Sequence, residues 1–136
     1  MKRILALDYG KKRSGLAVTD PLRIIVSPLD SVATEDLMDY LERYCMTEDV
    51  EKIVIGMPVH ADGEDTYLSE EIRIFGRDLG QKIKGLEIVF FDESFSSAKA
   101  KEVILRSGLP KMKRRDKSRV DRVSAAIILQ EYLGHY

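Results

Sequence analysis

The sequence contains little cysteine or histidine and no long apolar run. Its single cysteine, Cys45, cannot form a disulfide within the chain, which excludes a disulfide framework and fits a reducing compartment. The two histidines, His60 and His135, have no ligand-like spacing to each other or to a cysteine, so no zinc site is expected. No apolar run approaches the roughly 20 residues that cross a bilayer. We therefore expect a soluble, cytoplasmic protein with no membrane partner.

The chain also lacks an excess of charge of either sign. It carries 22 Lys and Arg against 23 Asp and Glu over 136 residues, for a net charge of −1. Bulk charge therefore draws it to neither nucleic acid nor membrane, and any attraction to phosphate must come from local clusters. No repeat, linker or low-complexity tract interrupts the sequence, and its length suits one buried core. We expect residues 1–136 to form a single domain.

The stretch ILALDYGKKRSGLAVTD, residues 4–20, places a carboxylate at the end of an apolar strand. The apolar run stops at Asp8, Gly10 and a basic triplet follow, and an apolar pattern resumes at Leu16, which predicts a β-hairpin. An unpaired ionised carboxylate inside a sheet costs several kcal/mol, so Asp8 is expected to have a cation or hydrogen-bond donors beside it. On this stretch alone, a local role for Asp8 in capping the turn is an open alternative.

Strands and helices alternate along the rest of the chain. Further strands are predicted at 24–26, 50–57 and 88–91, and helices at 34–47, 66–84, 96–106 and 120–132. Pro28 is expected to end the third strand and Thr34 to cap the first helix. The run IVIGMP is apolar without alternation, which is typical of a parallel strand buried on both faces. This order predicts an α/β, ribonuclease H-like fold: a mixed five-stranded sheet, three antiparallel strands and then parallel strands, flanked by helices.

Three carboxylates fall at the ends of these elements. Asp8 and Glu93 end strands that are expected to finish at one sheet edge, and Asp121 falls in the first turn of the last predicted helix. Hard oxygen ligands of this kind suit Mg²⁺ or Mn²⁺. Separately, Glu93 could be a solvated strand end, and Asp121 could complete a capping box that starts at Ser118. Their joint occurrence in this order favours a metal site.

Four motifs along nearly the whole chain resemble those of the YqgF/RuvX family. They are LDYGKKRSGLAVTD at 7–20, IGMPVHADG at 55–63, FDES at 91–94 and VDRVSAAIILQEYL at 120–133. The family comprises Holliday-junction-resolvase-like nucleases associated with processing the 5′ end of pre-16S rRNA. The chain departs from the family at Ser94, where an arginine that could hold a phosphate is usual.

The resemblance implies metal-dependent hydrolysis of a phosphodiester. It assigns Asp8, Glu93 and Asp121 as the catalytic acids that hold two Mg²⁺ or Mn²⁺ ions, roughly 3.5–4 Å apart, with no nucleophilic side chain needed. The implied partner is nucleic acid, structured RNA or alternatively branched DNA. Two basic clusters, 11–13 beside Asp8 and 111–119 beside Asp121, would bind flanking phosphates, the second as a mobile loop. The candidate nucleic-acid-binding residues are Lys11, Lys12, Arg13, Lys113, Arg114, Arg115, Lys117 and Arg119.

Three alternatives stay open at this stage. Asp-x-Gly in a hairpin also describes the phosphate-binding turn of actin-like and sugar-kinase proteins, although those need a second domain that this length does not supply. A Holliday-junction or branched-DNA resolvase is the second alternative. A catalytically silent nucleic-acid-binding module of the same fold would have an identical pattern. The sequence leaves the oligomeric state open, since an exposed helix or strand edge could pair two copies into a homodimer.

Overall fold

The computed structural model of the chain describes residues 2–58, 67–93 and 117–134. Within these ranges five strands form one sheet: β1 (Arg3–Asp8), β2 (Arg13–Thr19), β3 (Val26–Ala33), β4 (Val50–Pro58) and β5 (Glu87–Glu93). The strand order is β3-β2-β1-β4-β5. Strands β1, β2 and β3 pair antiparallel, whereas β4 runs parallel to both β1 and β5. The predicted mixed sheet, three antiparallel strands and then parallel strands, is confirmed.

Three α-helices lie in the described ranges: α1 (Leu37–Thr47), α2 (Tyr67–Lys82) and α3 (Lys117–Leu133). A short 3₁₀ turn, Thr34–Asp36, precedes α1. In this part of the chain no helix combines the length and apolar character that a bilayer span requires. The helix predicted at 96–106 lies outside the described residues.

The two faces of β1 pack against different helices because successive residues of a strand point to opposite sides. Leu5 and Leu7 belong to the buried cluster that includes residues of α1 and α2. Ile4 and Ala6 belong to the cluster formed with α3. All four are at most 2% exposed, so β1 is buried on both faces of the sheet.

The prediction that Pro28 ends the third strand is wrong. β3 runs from Val26 to Ala33 and passes through Pro28. Proline has no N–H to give to a ladder, but β3 is an edge strand and its register with β2 shifts beside Pro28, which makes the residue acceptable there. Ile24 and Ile25, which the apolar pattern assigned to the strand, are 65% and 62% exposed in the preceding loop.

The start of α3 also differs from the prediction. The helix begins at Lys117, so Asp121 is its fifth residue and lies beyond the first turn. Ser118 is inside the helix, where it does not hold the N-cap position that a capping box requires. The alternative explanation of Asp121 as a capping acid is therefore wrong. The end of the basic segment, 117–119, is helical and does not belong to a loop.

Cys45 is partly buried on α1. Burial raises the pKa of this thiol above its usual value. The group therefore stays protonated at neutral pH, as expected of a structural cysteine and not of a nucleophile.

Two glycines on α2 offer a matched test of how this helix packs on β5. An added Cβ at Gly80 would lie 3.5 Å from Cγ1 of Ile88, an ordinary contact, whereas one at Gly76 would lie 2.7 Å from Cζ of Phe90. Replacing a helical glycine by alanine gains up to about 1 kcal/mol in helix propensity. We expect Gly80→Ala to raise the free energy of unfolding by about that amount, and Gly76→Ala to gain less because the Phe90 ring must move. Urea denaturation measures both; an equal gain at the two positions would contradict the close packing of Phe90 on Gly76.

Candidate active site

The carboxyl ends of β1, β4 and β5 meet at one edge of the sheet. Asp8 ends β1 and Glu93 ends β5, with β4 between them. Leu7 pairs with Ile55 of β4, and Pro58 of β4 pairs with Glu93. Because all three strands run in the same direction, the two acidic positions lie at the same edge, two strand spacings or about 10 Å apart across the sheet.

Strand alternation separates Glu93 from its neighbour Asp92. Asp8 is two residues after Ala6, which packs against α3, so both residues lie on the same face of β1. Asp8 is half-buried. On β5, Phe91 packs in the same cluster and therefore lies on the α3 side of the sheet. Position 93 is two residues after Phe91 and lies on the same face of β5, whereas position 92 lies on the opposite face. The register thus puts positions 8 and 93 on the α3 side of the sheet.

Position 121 belongs to the sheet-facing stripe of α3. Ser124, Ala125 and Ile128 are all at most 1% exposed. Position 121 precedes them by three, four and seven residues, the spacings at which helical residues share a face. The backbone of α3 therefore carries position 121 on the same face that covers the α3 side of the sheet.

Among the predicted acids, only Asp8 has a described side chain, since those of Glu93 and Asp121 lie outside the description. Within the described side chains, no three His, Cys, Asp or Glu residues form a group that could hold a metal ion. The structure thus gives the strand and helix positions of all three acids, and the burial of one.

The turn after Asp8 is held by a closed ring of three hydrogen bonds. The N–H of Gly10 donates to Oγ of Ser14 at 3.2 Å, and Oγ1 of Thr34 donates to the carbonyl of Gly10 at 2.6 Å. The two hydroxyls are 2.9 Å apart. Because a threonine hydroxyl has one proton and Thr34 uses it on Gly10, Ser14 must donate to Thr34. Thr34 was expected to cap α1; its hydroxyl braces this turn, and no side-chain cap bond forms at the 3₁₀ turn or at the start of α1.

Gly10 is required in this turn by the closeness of its own backbone. A Cβ built there would overlap the carbonyl oxygen of Arg13. The backbone N–H of Thr34 also donates to the carbonyl of Lys12 at 2.9 Å. Sequence reasoning did not identify Ser14 or Thr34 as part of the site. The signal it could have used is a serine in a strand that is otherwise apolar, since Ser14 is fully buried.

Tyr9 attaches the end of β1 to α2 on the opposite side of the sheet. Its hydroxyl donates to Oε2 of Glu71 at 2.9 Å, and its ring centroid lies 5.3 Å from that of Phe75. Burial, together with the hydrogen bond and the charge of Glu71, raises the pKa of Tyr9 to about 12. The phenol therefore stays protonated at neutral pH and keeps its hydrogen bond.

The predicted basic residues divide into described and undescribed groups. Lys11, Lys12 and Arg13 are exposed in and beside the turn that follows Asp8. Lys113, Arg114 and Arg115 lie outside the described residues. Lys117 and Arg119 lie in the first turn of α3, where only the backbone is described.

Comparison with known proteins gives a match over nearly the whole chain. The family model RuvX, described as Holliday junction resolvase, matches residues 2–135. A protein of Porphyromonas gingivalis, named "Putative pre-16S rRNA nuclease", is 50% identical over 99% of this chain and 98% of its own length. A protein of Phocaeicola vulgatus with the same name is 44% identical over 98% of this chain and 96% of its own length.

Two solved structures share the fold at low sequence identity. Fowlpox virus resolvase, solved with a substrate Holliday junction, has a TM-score of 0.57 at 10% identity and covers 98% of this chain and 97% of its own. RuvC of T. thermophilus, solved with a Holliday junction substrate, has a TM-score of 0.53 at 14% identity with the same coverage. Together with the strand order, these likenesses confirm the ribonuclease H-like fold.

The hydrogen-bonded ring predicts a particular cost for removing one hydroxyl. Thr34→Val keeps the shape of the side chain but leaves the Gly10 carbonyl and the Ser14 hydroxyl without their partner, so we expect a loss of about 1–3 kcal/mol in the free energy of unfolding. Thr47 provides the control, because its hydroxyl donates to the carbonyl of Tyr44 at an exposed site. Thr47→Val should change stability by less than about 0.5 kcal/mol. If chemical denaturation gave equal losses of unfolding free energy for both variants, the hydrogen bonds of the ring would contribute no more stability than the exposed hydrogen bond of Thr47.

Proposed function

Because the chain belongs to the RuvX family, we propose that it is a metal-dependent nuclease that hydrolyses phosphodiester bonds during 5′-end processing of pre-16S rRNA. Two relatives at 50% and 44% identity are named "Putative pre-16S rRNA nuclease" and match over almost their whole length. The family match over residues 2–135 supports the further proposal that the chain acts as one domain. The strand and helix register described above is the observation that carries the chemical part of the proposal.

Asp8, Glu93 and Asp121 are the proposed ligands of Mg²⁺ or Mn²⁺. The donor set fits such ions, because it consists of hard carboxylate oxygens on three separate elements and includes no thiolate or imidazole. The half-buried position of Asp8, directly after four buried residues of β1, is also suitable, since a cation would offset the cost of the carboxylate there. When bound, a pair of such ions would activate a water molecule and stabilise the leaving oxygen of the cleaved phosphodiester.

The chain's own contribution is to hold Asp8 in a fixed place. Asp8 is the last residue of the central strand of the sheet, and the ring of Gly10, Ser14 and Thr34 fixes the turn on its other side. Tyr9 adds a third attachment through its hydrogen bond to α2. A ligand that is held on both sides needs little reorganisation to meet its ion, which is what precise metal binding requires.

The basic residues beside the acids are the proposed phosphate contacts. Lys11, Lys12 and Arg13 are exposed next to Asp8, where they can meet backbone phosphates on either side of the cleaved bond. The same role is proposed for the second cluster: Lys113, Arg114, Arg115, Lys117 and Arg119. Such contacts position a substrate without reading its sequence, so they fit structured RNA and branched DNA alike.

Replacing the acids one at a time tests the site, and Asp92 supplies the matched control. We expect Asp8→Asn, Glu93→Gln and Asp121→Asn each to lower cleavage of an RNA that carries the 5′ precursor of 16S rRNA by about a hundredfold or more, since each removes a charged metal ligand. Asp92→Asn should keep most of the activity, because position 92 belongs to the opposite face of β5. Rates are measured in Mg²⁺ and in Mn²⁺, with a four-way DNA junction as the alternative substrate.

Each contrary result has a defined meaning. Wild-type rates for Asp8→Asn would show that the site is wrong. If Asp92→Asn lowered the cleavage rate more than Glu93→Gln, the ligand on β5 would be Asp92 and not Glu93. Faster cleavage of the DNA junction than of the RNA would replace the proposed substrate by branched DNA.

The salt dependence of binding tests the basic turn. Replacing Lys11 and Lys12 by alanine should weaken RNA binding and reduce the slope of log K against log salt by roughly 0.7–0.9 for each lost phosphate contact. Lys2 and Lys84 serve as the control pair, because they are exposed just before β1 and before β5, at the opposite edge of the sheet. Binding is measured with metal removed so that no cleavage occurs. A wild-type slope for the Lys11 and Lys12 variant would show that this turn does not touch the substrate.

A further inference from the structure

Ser124 carries a buried hydroxyl whose role the proposed function does not use. The residue is 1% exposed and lies on the sheet-facing stripe of α3. Within the described part of the chain, its Oγ is the one buried side-chain oxygen or nitrogen without a hydrogen-bond partner. An unsatisfied buried hydroxyl destabilises a fold, so its presence asks for an explanation.

Packing does not explain the hydroxyl. The next two residues, Ala125 and Ala126, are also buried and fill the same region with methyl groups. Alanine at position 124 would be nearly as large, would favour the helix more and would leave no polar atom unsatisfied. A hydrogen-bond partner supplied from outside the polypeptide would account for a serine here.

The direction of α3 indicates where Ser124 lies. Near the end of the helix, the hydroxyl of Tyr132 accepts a hydrogen bond of 3.3 Å from Nζ of Lys52, the third residue of β4. From Tyr132 back to Ser124 is eight helical residues, about 12 Å. The ring of the same tyrosine packs edge-to-face on Phe91 of β5, with the ring centroids 5.9 Å apart. Ser124 therefore lies about 12 Å along α3 from these contacts with β4 and β5, toward the end of the helix that carries position 121.

Ser124 also stands one helical turn after Asp121 on the same stripe. Residues three apart on a helix are neighbours on its surface. Ser124 is therefore close in the fold to one proposed metal ligand and faces the side of the sheet that carries the position of another.

We propose that Ser124 is a positioning residue whose Oγ accepts a hydrogen bond from a water molecule that hydrates the divalent ion. The proposal rests on the proposed function, since it needs an ion held by Asp8, Glu93 and Asp121. Mg²⁺ and its analogues retain several water ligands when bound by few carboxylates, and those waters are strong donors. A buried acceptor one helical turn after position 121 is suited to this need.

The test compares metal binding and stability in the full chain. Ser124→Ala should lower Mn²⁺ affinity about 10- to 100-fold, as expected when an outer partner of a metal site is lost. The same variant should raise the melting temperature in the absence of metal, because the unsatisfied hydroxyl is gone. Ser124→Cys keeps a side chain of similar shape with a weaker hydrogen-bonding group and should lose Mn²⁺ affinity in the same way. Calorimetric titration with Mn²⁺ and thermal unfolding with and without Mn²⁺ give both quantities.

Ser69 is the matched control, a serine that is 1% exposed on α2 and has an interaction partner. Ser69→Ala should lower the melting temperature and leave Mn²⁺ affinity unchanged. If the wild type binds Mn²⁺ and Ser124→Ala binds it equally well, the inference is overturned and the proposed function stands. If the wild type binds no Mn²⁺, the proposed metal site fails and the inference fails with it.

Discussion

The parallel pairing of β1 with β4, and of β4 with β5, is the constraint on which the rest of this structure depends. It sets the edge at which the strands end and also the side of the sheet on which each residue lies. A slip of one residue would move every side chain of a strand to the other face. Such a slip is strongly opposed here, because Leu5, Ile53 and their neighbours are fully buried on one face while Ala6 and Val54 are fully buried on the other. The positions of the acids are therefore a consequence of core packing.

Much of the sheet could be predicted because its signals are local. The apolar run of β4 and the abrupt change to Asp8 after Leu7 are visible in the sequence without knowledge of any partner strand. β3 could not be predicted in the same way. Its apolar residues Ile24 and Ile25 stay in a loop, where their N–H groups bond to the carboxylate of Asp20 at 2.8 and 2.7 Å. The strand itself follows the ladder that β2 offers, so tertiary pairing outweighed local apolar character.

The candidate site likewise has parts that local sequence signals predict and parts that depend on distant partners. Its acids stand at element ends, and the sequence identified them before the register separated Glu93 from Asp92. The hydrogen-bonded ring joins Gly10, Ser14 and Thr34, which are up to 24 residues apart, so no local pattern reveals which of these groups bond to one another. The helix start at Lys117 was missed because the basic residues there lack apolar periodicity, although they are on the first turn of α3. What sequence reasoning lacked in each case was the identity of a distant partner.

The two faces of the sheet differ in what they contribute. The side covered by α1 and α2 buries long aliphatic residues such as Leu41, Ile72 and Leu79, which stabilise the fold by removing apolar area from water. The α3 side contains alanines on the sheet and on the helix, which bury less area but allow the two backbones to approach closely. That side also accepts polar groups: the half-buried Asp8, and Ser124, whose Oγ has no hydrogen-bond partner in the part of the chain that the structure describes. The apolar burial on the α1 and α2 side stabilises the fold enough for the α3 side to keep polar groups. This allows charged ligands to be placed beside a packed helix.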